Sequence, residues 1–217
     1  MNGSDEYDDE HPWRHVDDGT EPDTGPWGHI DNEYARELVK YLHGPSVRGA
    51  PIRLKHLIAT VDLAPTEIFW PVFLNTWPNC DHTWPYRLEV QRMLRHYAAQ
   101  EPARNYMDPI NVEFLDSLPP VVTAFRGCAR SRIRGISWTL EESVARKFAG
   151  ASSNEKQNRV LATARIPKDA VFAACIDRGE CEIIVDPERL LRVWSVGFNY
   201  ATKGLLLSIP PLNEEKV

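Results

Sequence analysis

The chain has no run of about 18 apolar residues, so the sequence predicts no membrane-spanning helix. Its first residues are acidic and lack the apolar stretch of a secretory leader. Cysteine is sparse: Cys80, Cys128, Cys175 and Cys181 are the four in the sequence. None forms a C-x-x-C pair or a finger-like spacing with histidine, so no structural zinc is expected and reduced thiols are. Taken together, these absences predict a cytoplasmic protein with no membrane partner and no metal.

Excess charge is also missing from most of the chain. The net charge of -6 is concentrated in residues 1–30, which carry nine Asp/Glu and one Arg. The remaining residues hold 24 basic and 22 acidic side chains, so bulk charge neither favours nor opposes nucleic acid. Residues 1–30 are poor in aliphatics and rich in Asp, Glu, Gly and Pro, a composition that predicts a disordered tail. Trp13 and Trp27 are either docking points or stray aromatics in that tail. His11 and His15 are four apart, but Pro12 stands between them and no metal site is expected there.

What the chain does have is enough apolar residue, 42% of 217, for a substantial core. Residues 31–118 read as a helical lobe. Helices are expected over 32–43, 52–61, 66–75, 86–99 and 110–115. Gly44-Pro45 stops the first, and Pro71 shortens or kinks the third. Trp77-Pro78 and Trp84-Pro85 bracket Cys80-Asp81-His82, which reads as a packed loop corner more readily than as a catalytic triplet. In the fourth helix Leu88, Met93, Leu94 and Tyr97 are expected to face the core, with Arg87, Glu89, Arg92 and Arg95 in solvent.

Beyond Pro120 the texture becomes β-branched. Strands are expected at 121–126, 135–139, 159–166, 170–176, 180–185, 191–196 and 205–209, with one helix at 140–149. Short strands with a single helix between them predict an antiparallel or mixed sheet sandwich. The fold class is therefore α+β, with a tail over 1–30, a helical lobe over 31–118 and a β-rich core over 119–217.

Three elements of that core carry chemistry. Gly179-Glu180-Cys181-Glu182-Ile183-Ile184-Val185, read as a strand, puts Glu180 and Glu182 on one face roughly 6–7 Å apart. Like charges that close require a cation, a developing positive charge or open water. Phe125-Arg126-Gly127 supplies a guanidinium fork at a strand end, with Gly127 leaving room for a ligand. Gly135-Ile136-Ser137-Trp138-Thr139 puts Ser137 and Thr139 on one strand face. Thr139-Leu140-Glu141-Glu142 also reads as a capping box. Arg130, Arg132 and Arg134 form either a basic strip or, more simply, a solvated connection. Residues 150–158 are either a pocket-flanking loop or a surface turn.

A strand Arg, then a strand Ser, then a strand Glu-x-Glu resembles the arginine-serine-glutamate class of mono-ADP-ribosyltransferases, which includes bacterial and phage toxins. The matching words are Phe-Arg-Gly-Cys (125–128), Gly-Ile-Ser-Trp-Thr (135–139), Val-Ala-Arg-Lys-Phe-Ala (144–149) and Asp-Arg-Gly-Glu-Cys-Glu-Ile-Ile-Val-Asp-Pro (177–187). They cover about 70 residues and leave the helical lobe unmatched.

The resemblance implies an ADP-ribosyltransferase-like split β-sandwich carrying an N-terminal helical lobe. It also implies NAD as substrate and no metal. By position, Arg126 would bind NAD near its phosphates and brace the site, with Gly127 beside it. Ser137 would orient the catalytic Glu182. Trp138 and Thr139 would complete the cofactor-binding strand, Trp138 standing where the family has Thr. Glu180 would serve the acceptor, and a Glu-x-Glu pair implies protein arginine. Cleavage of the nicotinamide–ribose bond develops positive charge on the sugar, which a carboxylate at Glu182 would stabilise. Alternatives are a nucleobase or water as acceptor, or a non-catalytic binding module. A toxin-like enzyme would also imply a cognate inhibitor protein.

Overall fold

The computed structural model describes residues 27, 29–47, 50–80, 83–150, 158–176, 179–199 and 204–205. Most of the acidic tail, Asp81-His82, and residues 151–157 and 206–209 lie outside them. The expectations of disorder, of a packed loop corner around 81–82, of a pocket-flanking loop or surface turn at 150–158 and of a strand reaching 209 fall largely there.

Five helices come first: α1 (Glu33–His43), α2 (Ala50–Val61), α3 (Thr66–Thr76), α4 (Arg87–Gln100) and α5 (Pro109–Ser117). Asn32 caps α1, its side chain accepting from the Ala35 amide at 3.0 Å. α3 runs through Pro71 and buries Ile68, Phe69, Trp70, Val72 and Phe73. In α4 the expected core stripe is shifted. Leu88 is 65% exposed, while Val90, Met93, Leu94 and Tyr97 are buried. Among the described residues no helix is long and apolar enough to cross a membrane.

The remaining elements are β1 (Val121–Ala129), β2 (Ser137–Thr139), α6 (Glu142–Gly150), β3 (Arg159–Pro167), β4 (Val171–Cys175), β5 (Glu182–Val185), β6 (Arg192–Asn199) and β7 (Gly204–Leu205). Among the described residues all strand pairs are antiparallel, in the order β4-β5-β2-β1-β3-β6-β7. The protein is α+β. The strands join in one order, but the junction is narrow. β1 and β3 share nine register pairs, whereas β1 and β2 share only Phe125↔Thr139. The three strands β4, β5 and β2 are thus joined to the larger group through that single register pair.

Two cores follow. One combines α1 to α4 with Ile136, Ala173, Cys175 and Ile184 from the smaller strand group. The other lies on the opposite side of the sheet and holds Trp138, Ile183, Val185 and the inward residues of β1 and β3. The helical lobe is therefore packed directly onto the strands that carry Ser137 and Glu182.

A polar latch reinforces this packing. Arg95 on α4 donates from Nε and Nη2 to the two carboxylate oxygens of Asp186, at 2.9 and 2.6 Å. Its Nη2 also pairs with Glu188 at 2.6 Å. Arg95 is thus committed across the lobe boundary instead of facing solvent as its helical position predicted. Bidentate guanidinium–carboxylate geometry fixes both partners more firmly than a point charge would.

Candidate functional site

The narrow junction between β1 and β2 opens into a cleft of about 290 Å³. One wall comes from β1, β2, α6 and the turn before β5. The other comes from Trp77, Pro78, Cys80 and Thr83 of the helical lobe. All seven residues singled out in the sequence line this cleft: Arg126, Gly127, Ser137, Trp138, Thr139, Glu180 and Glu182. They arrive from separate strands because the register sets Thr139 opposite both Phe125 and Glu182, and Ser137 opposite Ile184.

Ser137 donates its hydroxyl proton to Glu182 Oε1 at 2.6 Å. The same oxygen accepts from the Trp77 indole at 3.2 Å. Among the described residues no hydrogen bond reaches Oε2. Burial pushes the Glu182 carboxyl above the usual carboxylate range, the bonds from Ser137 and Trp77 pull it back, Glu180 adds to the rise, and Arg126 opposes it. A carboxyl so placed resists ionisation in the free protein, and a cationic species beside it would favour the carboxylate.

Arg126 is a brace. Its Nη1 donates to the Ser137 carbonyl and its Nε to the Arg132 carbonyl at 3.3 Å. The guanidinium lies against Gly135, where a Cβ would come within 2.5 Å of Cζ and Nη2. Gly135 is therefore a packing requirement of the site, and the sequence reading passed over it. Gly127 has a different role from the one expected of it. A Cβ there would sit 2.0 Å from the Ala145 carbonyl oxygen and 2.3 Å from the Ala149 amide nitrogen. The space it leaves is filled by α6, not held open for a ligand.

Trp138 lines the cleft, yet its indole is buried in the second core, with Nε1 donating to the Gly135 carbonyl at 2.9 Å. The Thr139 hydroxyl does not form the expected capping box. It accepts from the Glu141 amide at 3.0 Å and donates to the Glu180 carbonyl, while Glu142 pairs with Arg146. Thr139 thereby ties β2 to the turn that carries Glu180.

That turn corrects the strand assignment. β5 begins at Glu182, and Gly179 and Cys181 both have positive φ, 67° and 42°. Left-handed backbone at Cys181 is costly for a residue with a Cβ. It ends the extended run, so Glu180 stands on the turn and does not share a strand face with Glu182. Both carboxylates still line the cleft, brought there by the turn rather than by strand alternation. Arg130–Arg132 forms a single 3-10 turn, and Arg134 donates to the Pro187 carbonyl at 3.4 Å.

The lobe wall was missed in the sequence. The sequence suggests Trp77 only as an anchor of a loop corner, and the residue is buried, 3% exposed. Its position 105 residues before Glu182 carries no local spacing that would reveal the contact. No disulfide joins the four cysteines; Cys128 and Cys175 are buried, and Cys80 and Cys181 are partly exposed. Comparison of the chain with family models, with curated proteins and with solved structures gave no match.

Proposed function

We propose that this chain is a mono-ADP-ribosyltransferase of the arginine-serine-glutamate class, built on a split β-sandwich with a helical lobe. It would transfer ADP-ribose from NAD to a macromolecular acceptor, protein arginine first. One observation carries the reading: Ser137 holds the Glu182 carboxyl at 2.6 Å within the cleft that Arg126 braces and Glu180 borders. The narrow β1–β2 junction supports the fold assignment, since a single register pair joins the smaller strand group to the larger.

In the reaction, the nicotinamide–ribose bond breaks, the ribose carbon bonds to an acceptor nitrogen, and that nitrogen gives up a proton. Nicotinamide leaves with the bonding electron pair. Glu182, with Oε1 committed to two donors, presents Oε2 to the sugar, where a carboxylate stabilises developing positive charge. Glu180, on a turn at the cleft edge, takes the acceptor's proton or orients the acceptor guanidinium. A volume near 290 Å³ is at the low end for small-molecule sites, which suits the nicotinamide end of a dinucleotide whose remainder lies along the surface.

Incubation with NAD labelled in the adenosine half, in lysate treated with nuclease or protease, tests this. Label should survive nuclease and vanish with protease. Label lost to nuclease would replace arginine with a nucleobase, and label remaining as free ADP-ribose would make the protein a glycohydrolase. Absence of any NAD cleavage would leave the binding-module reading.

A further inference from the structure

Of the helical-lobe residues that line the cleft, Trp77 hydrogen-bonds Glu182. It belongs to the residues immediately after α3, on a short 3-10 turn spanning Trp77–Asn79. Its indole nitrogen donates to Glu182 Oε1 at 3.2 Å, and the residue is 3% exposed.

What lies behind the indole is ordered. Trp77 stacks on Phe73 with centroids 5.3 Å apart and planes inclined by 20°. Phe73 stacks on Phe69 at 5.5 Å and 17°, and Phe69 on Tyr97 at 3.7 Å and 9°. The far end is anchored as well, because the Tyr97 hydroxyl lies within hydrogen-bond distance of the Val61 and Ala64 carbonyls, at 3.0 and 2.8 Å. Four rings thus run through the lobe core and end on the carboxyl of Glu182. Stacked rings in a close-packed interior have little freedom to tilt, so the indole N–H is held on one line.

The direction of that line matters. Ser137 and Trp77 approach from opposite lobes and both reach Oε1. Two donors on one oxygen fix the carboxyl's rotation about its last bond and leave the other oxygen to face the cleft. Ser137 alone would fix one bond and leave that rotation loosely defined.

We propose that Trp77 is a positioning residue for Glu182, through which the helical lobe sets the orientation of the catalytic carboxyl. This rests on the proposed transferase reading. It assigns the lobe a part in the chemistry, beyond shielding the cleft or meeting a partner.

Trp77→Phe keeps the ring column and removes only the donor. NAD cleavage should then fall about tenfold in kcat, the worth of one hydrogen bond to a charged group, with KM changed by less than about twofold. The acidic limb of the pH–kcat profile should move to higher pH, and Ser137→Ala should move it the same way. A merely structural role would lower thermal stability and leave the limb in place, which overturns the proposal. Should Trp77→Phe fail to fold, the native protein still decides the matter. The Trp77 indole N–H resonance should titrate with the midpoint of the Glu182 carboxyl carbon, and that titration should disappear in Glu182→Gln. A flat indole resonance through the Glu182 transition overturns the proposal. If the native protein cleaves no NAD, the transferase reading fails separately, and the indole titration alone settles whether Trp77 holds Glu182.

Discussion

Arg126 and Gly135 are fitted to each other: the guanidinium of one fills the place where a side chain on the other would begin. From that seat Arg126 holds the carbonyls of Arg132 and Ser137 and so fixes the strand whose hydroxyl reaches Glu182. The glycine makes this possible by its missing Cβ, since its positive-φ freedom is not used.

Gly135→Ala should therefore damage the site more than the fold. The clash is with the flexible end of a side chain, which can swing away and abandon the Ser137 carbonyl. Stability should drop by about 1–3 kcal/mol, the usual cost of overpacking. NAD cleavage should drop at least tenfold, roughly the effect of one displaced charged hydrogen bond. Gly127→Ala meets backbone atoms of α6 instead, at 2.0 and 2.3 Å, and should cost more stability than Gly135→Ala. Thermal melts of the two variants, side by side, check the order.

Glu182→Gln should stabilise the protein at neutral pH. Burial raises the folded-state pKa of Glu182 above its unfolded value of 4.5. The neutral form is then favoured by folding, so its contribution is present below 4.5 and is lost as pH rises through the folded pKa. Glutamine keeps a neutral acceptor for Ser137 and Trp77 and does not incur that loss. The variant should melt above the native protein at pH 7–8, by roughly 2–4 °C for each kcal/mol recovered. The gap should close as pH falls below 4.5. Melts across that range read it directly.

Arg95→Met tests the latch between lobe and sheet. Asp186 is nearly buried, with a 9% exposed side chain, while Arg95 is 38% exposed. The loss should lie between that of a surface pair and that of a buried one, about 2 kcal/mol. Burial pushes the Asp186 carboxyl up, but Arg95, the Glu188 amide and Gln91 outweigh it and hold its pKa below 3.8. A depressed pKa contributes stability above the unfolded value and loses it as pH falls through the folded one. The difference between native and variant should be full at neutral pH and shrink below about pH 4, as chemical denaturation at several pH values would reveal.

The parts of the structure legible in the sequence were those set by local pattern. Apolar, β-branched texture placed β1 and β3, and helical period with Pro and Gly stops placed α1 to α5. The Arg126, Ser137 and Glu182 words were legible as candidates, and antiparallel pairing brings them to one cleft. Contacts over long sequence separations left no such trace. Trp77 meets Glu182, Arg95 meets Asp186, and Gly135 makes room for Arg126 through tertiary packing alone. The positive φ at Cys181 was also hidden, because Glu-Cys-Glu-Ile-Ile-Val alternates like a strand and only the structure shows that the extended run begins at Glu182.

In the proposed reaction the Glu182 carboxyl, held by Ser137, acts on the nicotinamide–ribose bond. The most direct measurement is nicotinamide released from NAD by the native protein and by Glu182→Gln, each first verified as folded by its melt. Release by the native protein is expected, with a loss of at least about 100-fold in the variant, the scale of removing one charge-stabilising group from an active site. Equal release from both, or none from a folded native protein, would contradict it.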